Sequence, residues 1–418
     1  MLDFLKRIMA LVAMLLAWAL GLGAEQTAPR VSLLTVSPGP LVYELDGHTA
    51  MRFQSPGGQD YVVNWGVFDF SAPNFLYRFV KGETDYMAWP FPFETFMEEY
   101  RRQGREVTEQ VLDLTPAQAR RLEALVAHNL RPENRTYRYN YIYDNCATRP
   151  LAFIQAAVDR PVEIPDFKGF RYGETGITDT PGLHTFRQEM ARAHADYPWY
   201  QFGIDLALGS GLDKEITPKE RTYSPLYLKE ALRRAKYIGS NGEKRQLVKS
   251  TAVILPARGR VTESPTPAWL SPIAVTLAVM LLSMWIAISD IRHKRISRWY
   301  DSLTYGCFFI VSLLLTFLIF ISVHEATSPN WLYLWLNPLT AIPAALVWIK
   351  SCGRVVYCYH ICNFVALFLL LAIGIIGIQA LNTAFYPLIL ADMALSARHL
   401  LIRRADKAKK TTETTTTE

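Results

Sequence analysis

Cys146 is the residue in this 418-residue sequence whose setting most strongly suggests chemistry. Of the five cysteines, it alone precedes the apolar blocks of the C-terminal half, in a part of the chain that we expect to be exported. A lone thiol there cannot form a disulfide within its own domain, so it is either buried and inert or used. Pro150 fits only the first turn of a helix, which places Cys146 at a helix N-terminus. That position favours a thiolate nucleophile.

His48 is the histidine best placed to act as the base for such a nucleophile. Alternating side chains in residues 46–53 predict a strand, with His48 and Arg52 on its more polar face. A third group usually orients the base. Asn64, on the next predicted strand, is our candidate for this group, and Asp69 is its rival. An ordinary exposed histidine is the alternative for His48. The other histidines that could serve as the base are His184 and His194.

Further polar residues near these positions could bind substrate. Backbone N–H groups at the start of the Cys146 helix, together with the Asn145 side chain, could hold an oxyanion. The residues that we assign to substrate binding or to the oxyanion are Asn145, Arg149, Arg52, Tyr43 and Asp69. The sequence contains no convincing metal site, phosphate-binding glycine loop or basic–aromatic pattern, so we expect no metal, cofactor or nucleic acid.

Strands and helices must position these residues. Residues 49–53 and 61–70 read as two strands joined by the turn signal at residues 55–58. A capping box at residues 115–118, with proline at the first helical position, opens one helix. A second helix begins near Cys146. Strands followed by helices predict an α+β domain. The aromatic stretch at residues 86–96 could contact lipid or acyl chains, or it could be ordinary core.

The N-terminus and the C-terminal half have the character of membrane sequences. Lys6 and Arg7 precede an apolar run and then small residues, which is the order of a secretory signal; an uncleaved signal anchor is the alternative. Beyond residue 265, apolar blocks predict an all-α bundle of about five transmembrane helices. The blocks are residues 269–289, 303–323, 331–349, 361–381 and 384–402. The last block contains Asp392, a candidate for a substrate role, and Arg398, which can snorkel to the cytoplasmic end.

Basic residues set the orientation of these blocks. The loops after the first and third blocks and the tail after the fifth contain Lys and Arg, whereas the other two loops contain neither. Since positive loops stay in the cytoplasm, an exported domain followed by five crossings fits every loop. The predicted parts are residues 1–24 (signal), 25–238 (exported domain), 239–267 (linker), 268–403 (transmembrane domain) and 404–418 (disordered cytoplasmic tail).

Five motifs, in this order, resemble those of a known family. They are GHTAMRF at 47–53, NWGVFDF at 64–70, YDNCATRP at 143–150, GIDLALG at 203–209 and HEATSPNWLYLWLNPL at 324–339. The sequence is similar to the Lnb family, the lipoprotein N-acyltransferases of Bacteroidota. The resemblance implies a papain-like thiol fold in permuted, NlpC/P60-like order, with His48 ahead of Cys146. It also implies that an acyl chain moves from a membrane phospholipid to the α-amine of a diacylated lipoprotein, at the periplasmic side of the inner membrane.

Two other classes of function fit the same residues. A membrane-anchored cysteine hydrolase, acting as a peptidase or amidase of the cell envelope, would use the same dyad and pass the acyl group to water. A non-catalytic envelope scaffold would merely bury Cys146. The reactivity of the thiol separates these classes, since an activated Cys146 should be alkylated at mildly acidic pH and an inert one should not.

Overall fold

The computed structural model describes residues 28–167, 184–239, 241–259 and 266–415, together with the backbone of residues 171–172 and 177–178. The predicted signal segment, residues 1–24, lies outside the described residues. The strands are β1 (Arg30–Val36), β2 (His48–Gln54), β3 (Asp60–Val67), β4 (Asp85–Pro92), β5 (Val107–Leu112), β6 (Thr136–Arg138), β7 (Val162–Glu163), β8 (Arg171–Tyr172), β9 (Ile177–Thr178), β10 (Lys236–Ile238), β11 (Lys244–Gln246) and β12 (Val248–Leu255).

The helices fall into two groups, one on each side of residue 260. Those of the first domain are α1 (Phe75–Lys81), α2 (Phe93–Gln103), α3 (Pro116–Asn129), α4 (Thr148–Val158), α5 (Phe186–Ala193), α6 (Pro198–Ala207), α7 (Pro218–Arg221) and α8 (Pro225–Arg234). Those of the second are α9 (Pro272–His293), α10 (Arg298–Phe320), α11 (Ala341–Leu346), α12 (Gly353–Ile376) and α13 (Phe385–Thr415).

A seven-stranded antiparallel sheet organises the first domain, in the order β12-β5-β1-β2-β3-β4-β6. The two predicted strands are present as β2 and β3, and Ala50 lies opposite Asn64 in their register. The predicted capping box at Thr115 is also present: its side chain accepts from Gln118 N, and Gln118 accepts from Thr115 N. The alternating pattern therefore predicted the strands that carry His48 and Asn64, and the capping box predicted the start of α3.

Both faces of the sheet are packed. On one face, Met51, Phe53 and Trp65 meet a helical layer from α3, α4 and α8. Trp65 Nε1 donates to Asn129 Oδ1 at 2.9 Å, which satisfies the one polar atom of this buried ring. On the other face, Ala50 packs with Phe96 of α2. The α+β class holds, but strands and helices alternate along the chain instead of forming two blocks.

The predicted linker at residues 239–267 is wrong for residues 244–255. Residues 244–246 and 248–255 form β11 and β12, and β12 pairs with β5 at the edge of the main sheet. Seven of the eight side chains of β12 are exposed or half-exposed, all but that of Leu255, as on an open edge strand. Prolines and scattered charges suggested a linker, yet both are also typical of edge strands.

Four helices among the described residues are long and apolar enough to cross a membrane: α9, α10, the helix ending at Ile376, and α13. The predicted span at 331–349 is not a continuous helix. It breaks into short turns at Trp331–Leu334 and Pro338–Thr340, followed by α11. The side chains of Asn330 and Asn337 each accept a backbone N–H and start a new turn, as N-cap residues do.

This broken segment nevertheless runs along α10 from one end to the other. Near the exported domain, Thr316 Oγ1 donates to Tyr333 OH at 3.3 Å. Toward the far end, Ser302 Oγ donates to the carbonyl of Ala344 at 2.7 Å. At that far end Arg403 also donates to the carbonyl of Gly353. The basic segments therefore lie away from the exported domain, as the loop charges predicted.

The tail and one charged residue differ from the prediction. The backbone is helical as far as Thr415, within the tail predicted to be disordered. The alanines and lysines that follow Arg404 favour helix, and no proline or glycine stops it before the threonine run. Arg398 does not snorkel to the surface: it is fully buried and bonded to Asp290 and Asp301 of the neighbouring helices.

Candidate active site

His48 and Cys146 line the same cavity, although they come from different elements. The cavity has a volume of about 550 Å³, within the usual range for small-molecule sites. His48 opens β2, and Cys146 lies just before α4. The cavity lining also includes His324, which belongs to the loop after α10. The site is thus built from both halves of the chain.

Asn145 fixes the segment that carries Cys146. Its Oδ1 accepts from Ala147 N at 2.8 Å and Thr148 N at 2.9 Å, which caps the first turn of α4. Its Nδ2 donates to the carbonyls of Tyr141 and Tyr223. Because both amide hydrogens are used, the predicted oxyanion role of the Asn145 side chain is wrong. Asn145 positions Cys146 instead.

His48, the candidate base, and Asn64, the candidate third group, are in contact. His48 Nε2 lies 2.8 Å from Asn64 Oδ1. If Nε2 donates this bond, the neutral imidazole leaves Nδ1 as an acceptor, the state that a general base requires. The strand pairing of β3 with β4 shifts between Asn64 and Val67, and Gly66 there has φ +91°. This bulge re-aims the strand next to the site, a position where bulges are common.

Burial keeps both reactive groups neutral. Desolvation raises the pKa of the Cys146 thiol to about 11, and the nearby Asp46 carboxylate adds to the rise. Desolvation lowers the pKa of His48 to about 4, opposed by the Asn64 hydrogen bond and aided by the Arg105 charge. The expected resting thiolate at a helix N-terminus is therefore wrong. The pair is a thiol and a neutral imidazole, so a nucleophilic attack by Cys146 would require the thiol to lose its proton as it attacks.

The two predicted arginines serve the fold and do not line the cavity. Arg52 Nη2 lies 2.5 Å from Asp60 Oδ2 and its Nη1 lies 3.1 Å from Glu109 Oε1, and the guanidinium stacks on Phe93. Arg149 makes a bidentate pair with Asp144 and stacks on Tyr137. A guanidinium with a bidentate carboxylate partner has few donors left for a substrate.

Tyr43 does line the cavity, where its exposed ring packs edge-on against Phe68. Asp69 does not line it, and its carboxylate accepts from the backbone and hydroxyl of Ser71. Asp69 is therefore not the partner of His48. Short polar side chains of this kind stabilise turns through bonds to nearby backbone.

The alternative bases lie outside the cavity. His184 Nδ1 is 3.0 Å from Glu189. His194 Nδ1 is 2.8 Å from Gln201. Neither lines the cavity that contains Cys146. His48 is thus the one candidate among these three that shares a cavity with the thiol.

Arg105 is a site residue that the sequence patterns did not reveal. It lines the cavity, is almost fully buried, and its Nη1 lies 3.0 Å from Glu44 Oε1. Among the described residues its Nη2 has no hydrogen-bond partner. No local pattern marks this position, because Arg105 follows the end of α2 as an ordinary surface arginine would. Its significance comes from its buried position at the cavity wall together with the donor that it leaves available.

Aromatic side chains supply most of the remaining lining. Those that line the cavity are Tyr43, Trp65, Phe68, Phe70, Phe75, Phe79, Tyr86, Tyr100, Tyr139, Tyr141, Tyr200 and Tyr223. Of the stretch predicted to be lipid-facing or core, residues 86–96, Tyr86 lines the cavity and Phe96, on α2, lies in the core between α2 and the sheet. The Tyr139 hydroxyl also reaches the Cys146 sulfur. The described residues contain no cluster of three His, Cys, Asp or Glu side chains suited to a metal ion.

The two halves of the chain dock through backbone bonds around this site. Gly209 N donates to the carbonyl of Ala326 at 2.8 Å, and Ser210 N donates to the carbonyl of Pro329 at 2.8 Å. A Cβ at Gly209 would lie 2.4 Å from that Pro329 oxygen, so only glycine permits this approach. Asn382 Nδ2 adds a bond to Asp205 at 2.8 Å. The docking joins two of the motifs noted in the sequence, 203–209 and 324–339.

Comparison with known families is consistent with this two-part arrangement. Residues 24–167 match the family model of the Lnb N-terminal periplasmic domain, and residues 263–407 match that of the Lnb transmembrane domain. Neither curated proteins nor solved structures gave a match. The first match covers His48, Asn64 and Cys146, and the second covers the whole bundle with its broken segment. The chain belongs to the Lnb family.

Proposed function

We propose that this protein is a lipoprotein N-acyltransferase that carries an acyl chain on Cys146 as a thioester. Membership of the Lnb family indicates a lipoprotein-processing membrane protein. The observation that carries the finer proposal is the cavity shared by Cys146 and His48, whose wall includes a residue of the membrane half. The acyl donor is a membrane phospholipid, and the acceptor is a diacylated lipoprotein at the periplasmic face of the inner membrane.

In the first step, the Cys146 sulfur attacks the ester carbonyl of the donor lipid. His48 Nδ1 takes the thiol proton as the S–C bond forms, which the raised pKa of the thiol makes necessary. The tetrahedral intermediate then collapses, and the imidazolium returns the proton to the leaving alkoxide. The products are a thioester and a lysolipid. Asn64 holds the imidazole in the required tautomer.

Backbone groups are the best donors for the oxyanion. The N–H groups of Thr49 and of Cys146 itself both reach the Cys146 sulfur, and each favours negative charge there. A carbonyl carbon bonded to that sulfur would bring its oxygen close to the same two groups. They would replace the Asn145 side chain that the sequence suggested.

In the second step, the α-amine of the lipoprotein's N-terminal cysteine attacks the thioester. His48 accepts a proton from the amine, an amide forms, and the Cys146 thiol is regenerated with that proton. Amide formation from a thioester is downhill, so the reaction needs no nucleotide. Water in place of the amine would give hydrolysis with the same residues.

The test is mass spectrometry of a reporter lipoprotein from cells that lack other N-acyltransferases. We expect a third acyl chain on the N-terminal cysteine with the wild type and with Cys307→Ser, a matched change at an exposed thiol of α10. We expect a free amine with Cys146→Ser. An unmodified reporter in all strains, at equal expression, would contradict the proposal, and release of free fatty acid by the wild type alone would identify a hydrolase.

A further inference from the structure

We infer that α1 and the loop after α10 form an acyl-chain site that opens directly to the outer leaflet of the membrane. This inference rests on the proposed acyl transfer and names the part of the cavity that receives the chain. The occupant is one acyl chain of the donor glycerolipid, which would lie along α1 with its ester carbonyl at Cys146. We refer to α1 with residues 322–324 as the membrane-side wall.

The composition of α1 is the first reason. None of its seven residues is buried, yet four of them are large and apolar or aromatic. Leu76 is 74% exposed and Phe79 is 47% exposed, and both line the cavity that contains Cys146. A helix that leaves apolar side chains on both the cavity side and the outer side is not packed as core. Such a patch marks a binding or membrane surface.

The attachment of α1 is the second reason. Val323 N donates to the Lys81 carbonyl at 2.8 Å, and His324 Nε2 lies 2.9 Å from the Phe79 carbonyl. The ring of Tyr77 packs against Phe317 of α10, with centroids 6.0 Å apart. These bonds hold α1 at the end of a membrane-spanning helix. The apolar side chains of α1 are therefore continuous with the lipid-facing surface of the bundle.

Gly82 shows how close this attachment is. It ends α1 with φ +81°, and its amide donates to the carbonyls of Arg78 and Phe79. A Cβ at this position would lie 3.1 Å from a methyl of Val323 and 3.2 Å from the His324 ring. The left-handed backbone and the tight contact both require glycine. The end of α1 therefore fits the loop of the membrane half closely.

The continuity of the apolar lining is the third reason, and it favours an acyl chain over a peptide. The rings of Phe68, Phe70 and Phe75 contact one another, with Phe68 also 5.0 Å from Tyr86. All of these rings line the cavity. The side chains that α1 contributes to it are apolar. A peptide would need backbone hydrogen-bond partners along this wall, whereas a hydrocarbon chain needs none.

Photo-crosslinking tests the location of the acyl-chain site without requiring catalysis. Full-length Cys146→Ser protein is placed in phosphatidylethanolamine vesicles that contain a trace of the same lipid with a diazirine on its acyl chain. After illumination and digestion, we expect adducts on residues 68–79 as well as on the spanning helices. Adducts on the spanning helices without any on residues 68–79 would overturn the inference. Because this variant cannot form a thioester, the result is independent of the proposed chemistry.

The preference of the enzyme for acyl chains of a given length tests whether the side chains of α1 bind the acyl chain. Full-length wild type and variants are incubated with phosphatidylethanolamine vesicles of defined acyl length, and the mass carried on Cys146 is read after acid quenching. We expect Leu76→Trp to shift the preferred chain shorter and Phe79→Ala to shift it longer, each changing the ratio of short to long adducts several-fold. Leu281→Trp, a matched change on the exposed face of α9, should leave the ratio unchanged.

The outcomes separate the two proposals. An unchanged ratio in both α1 variants, with adducts still forming on Cys146, would overturn the acyl-chain site and leave acyl transfer intact. No adduct on wild-type Cys146 with any lipid would contradict the proposed function itself. Thermal unfolding of each variant in the same vesicles controls for loss of the fold.

Discussion

Cys146 and Arg105 in the exported cavity and Asp392 in the membrane bundle are all buried, but their polar atoms are satisfied to different degrees. In the cavity, the nearest partners of Cys146 are backbone and a tyrosine hydroxyl, and the Nη2 of Arg105 has no partner among the described residues. In the bundle, the carboxylate of Asp392 accepts from Tyr305 at 2.6 Å and from Asn363 at 2.8 Å. Arg105 in the cavity thus keeps a donor available, whereas both oxygens of the Asp392 carboxylate in the bundle are used.

Both oxygens of the Asp392 carboxylate accept hydrogen bonds from other parts of the bundle. Trp335 Nε1 donates to its other oxygen at 3.1 Å, so the carboxylate joins α10, α12 and α13 to the broken segment. Further along the same helix, Arg398 pairs with Asp290 at 2.8 Å and also with Asp301. Because the bilayer core supplies no water, every such group must find its partner inside the protein. Asp392 therefore has the environment of a structural residue and not of a substrate ligand.

The comparison teaches that burial alone does not identify a functional residue. Unsatisfied donors and acceptors in a cavity are costly and persist where chemistry uses them, whereas a satisfied buried carboxylate stabilises its neighbours. Asp392 is fully buried and His48 is half-buried, but only His48 faces the cavity that contains Cys146. Substitutions in the two regions should accordingly affect different measurements.

The largest effect should follow His48→Ala. Loss of the general base should slow formation of the Cys146 thioester by about 10³-fold, because a buried neutral thiol cannot attack without proton transfer. The midpoint of thermal unfolding should change little, since His48 is only partly buried and makes one side-chain hydrogen bond. Single-turnover mass spectrometry of the acyl-enzyme checks the rate. A rate within tenfold of wild type would remove His48 from the mechanism.

Asp392→Ala should show the reverse pattern. It leaves the buried donors of Tyr305, Asn363 and Trp335 unsatisfied, which should cost about 3 kcal/mol of folding free energy. The rate of thioester formation per folded molecule should stay within a factor of about two or three of wild type. Thermal unfolding in detergent and active-site titration measure the two quantities. An Asp392→Ala protein that is as stable as wild type but fails to form the thioester would contradict the structural role and assign Asp392 to catalysis.

Asn64→Ala should have an intermediate effect on rate. Without the Oδ1 acceptor the imidazole is free to adopt the wrong tautomer, so thioester formation should fall by about 10–100-fold. Asp69→Ala is the matched control, because Asp69 contacts Ser71 and not the cavity. Equal losses in the two variants would show that the effect of Asn64 is only structural.

The smallest effect should appear in the pH profile of a variant without the Arg105 charge. Arg105→Met is combined with Glu44→Gln so that no buried carboxylate loses its partner. The guanidinium disfavours the imidazolium, so its removal should raise the pKa of His48 above about 4. The base is then protonated at higher pH, and the acid limb of the rate of Cys146 acylation should move upward. A downward shift, or none, would mean that the Arg105 charge does not act on His48.

The folding stability of the wild type should depend on pH through His48. Since the pKa of His48 is lowered in the folded state, the unfolded chain binds more protons between about pH 4 and the ordinary histidine value of 6.5. This contribution to stability is present above that window and is lost as the pH falls through it. Unfolding in urea at several pH values, compared with His48→Gln, would show the difference.

Local patterns were sufficient where a single element decides the outcome. The turn at 55–58 with its flanking alternation predicted β2 and β3, and the capping box at Thr115 predicted α3. Long-range pairing was not predictable in the same way. β12 was interpreted as linker because nothing in residues 248–255 reveals that β5 lies beside them. The break at 331–349 was missed because hydropathy measures apolar content and not where Asn337 and Pro338 restart a helix.

The sequence by itself determined the residue types at the site, the strands and helices that carry them, and the order of apolar and basic segments that orients the chain. These depend on side-chain periodicity and charge, which are local properties. Only the tertiary structure decided that Asn64 and not Asp69 contacts His48, that Asn145 caps a helix, and that Arg105 and α1 belong to the cavity. It also reversed the expected thiolate, because a pKa depends on desolvation and on charges from distant parts of the chain.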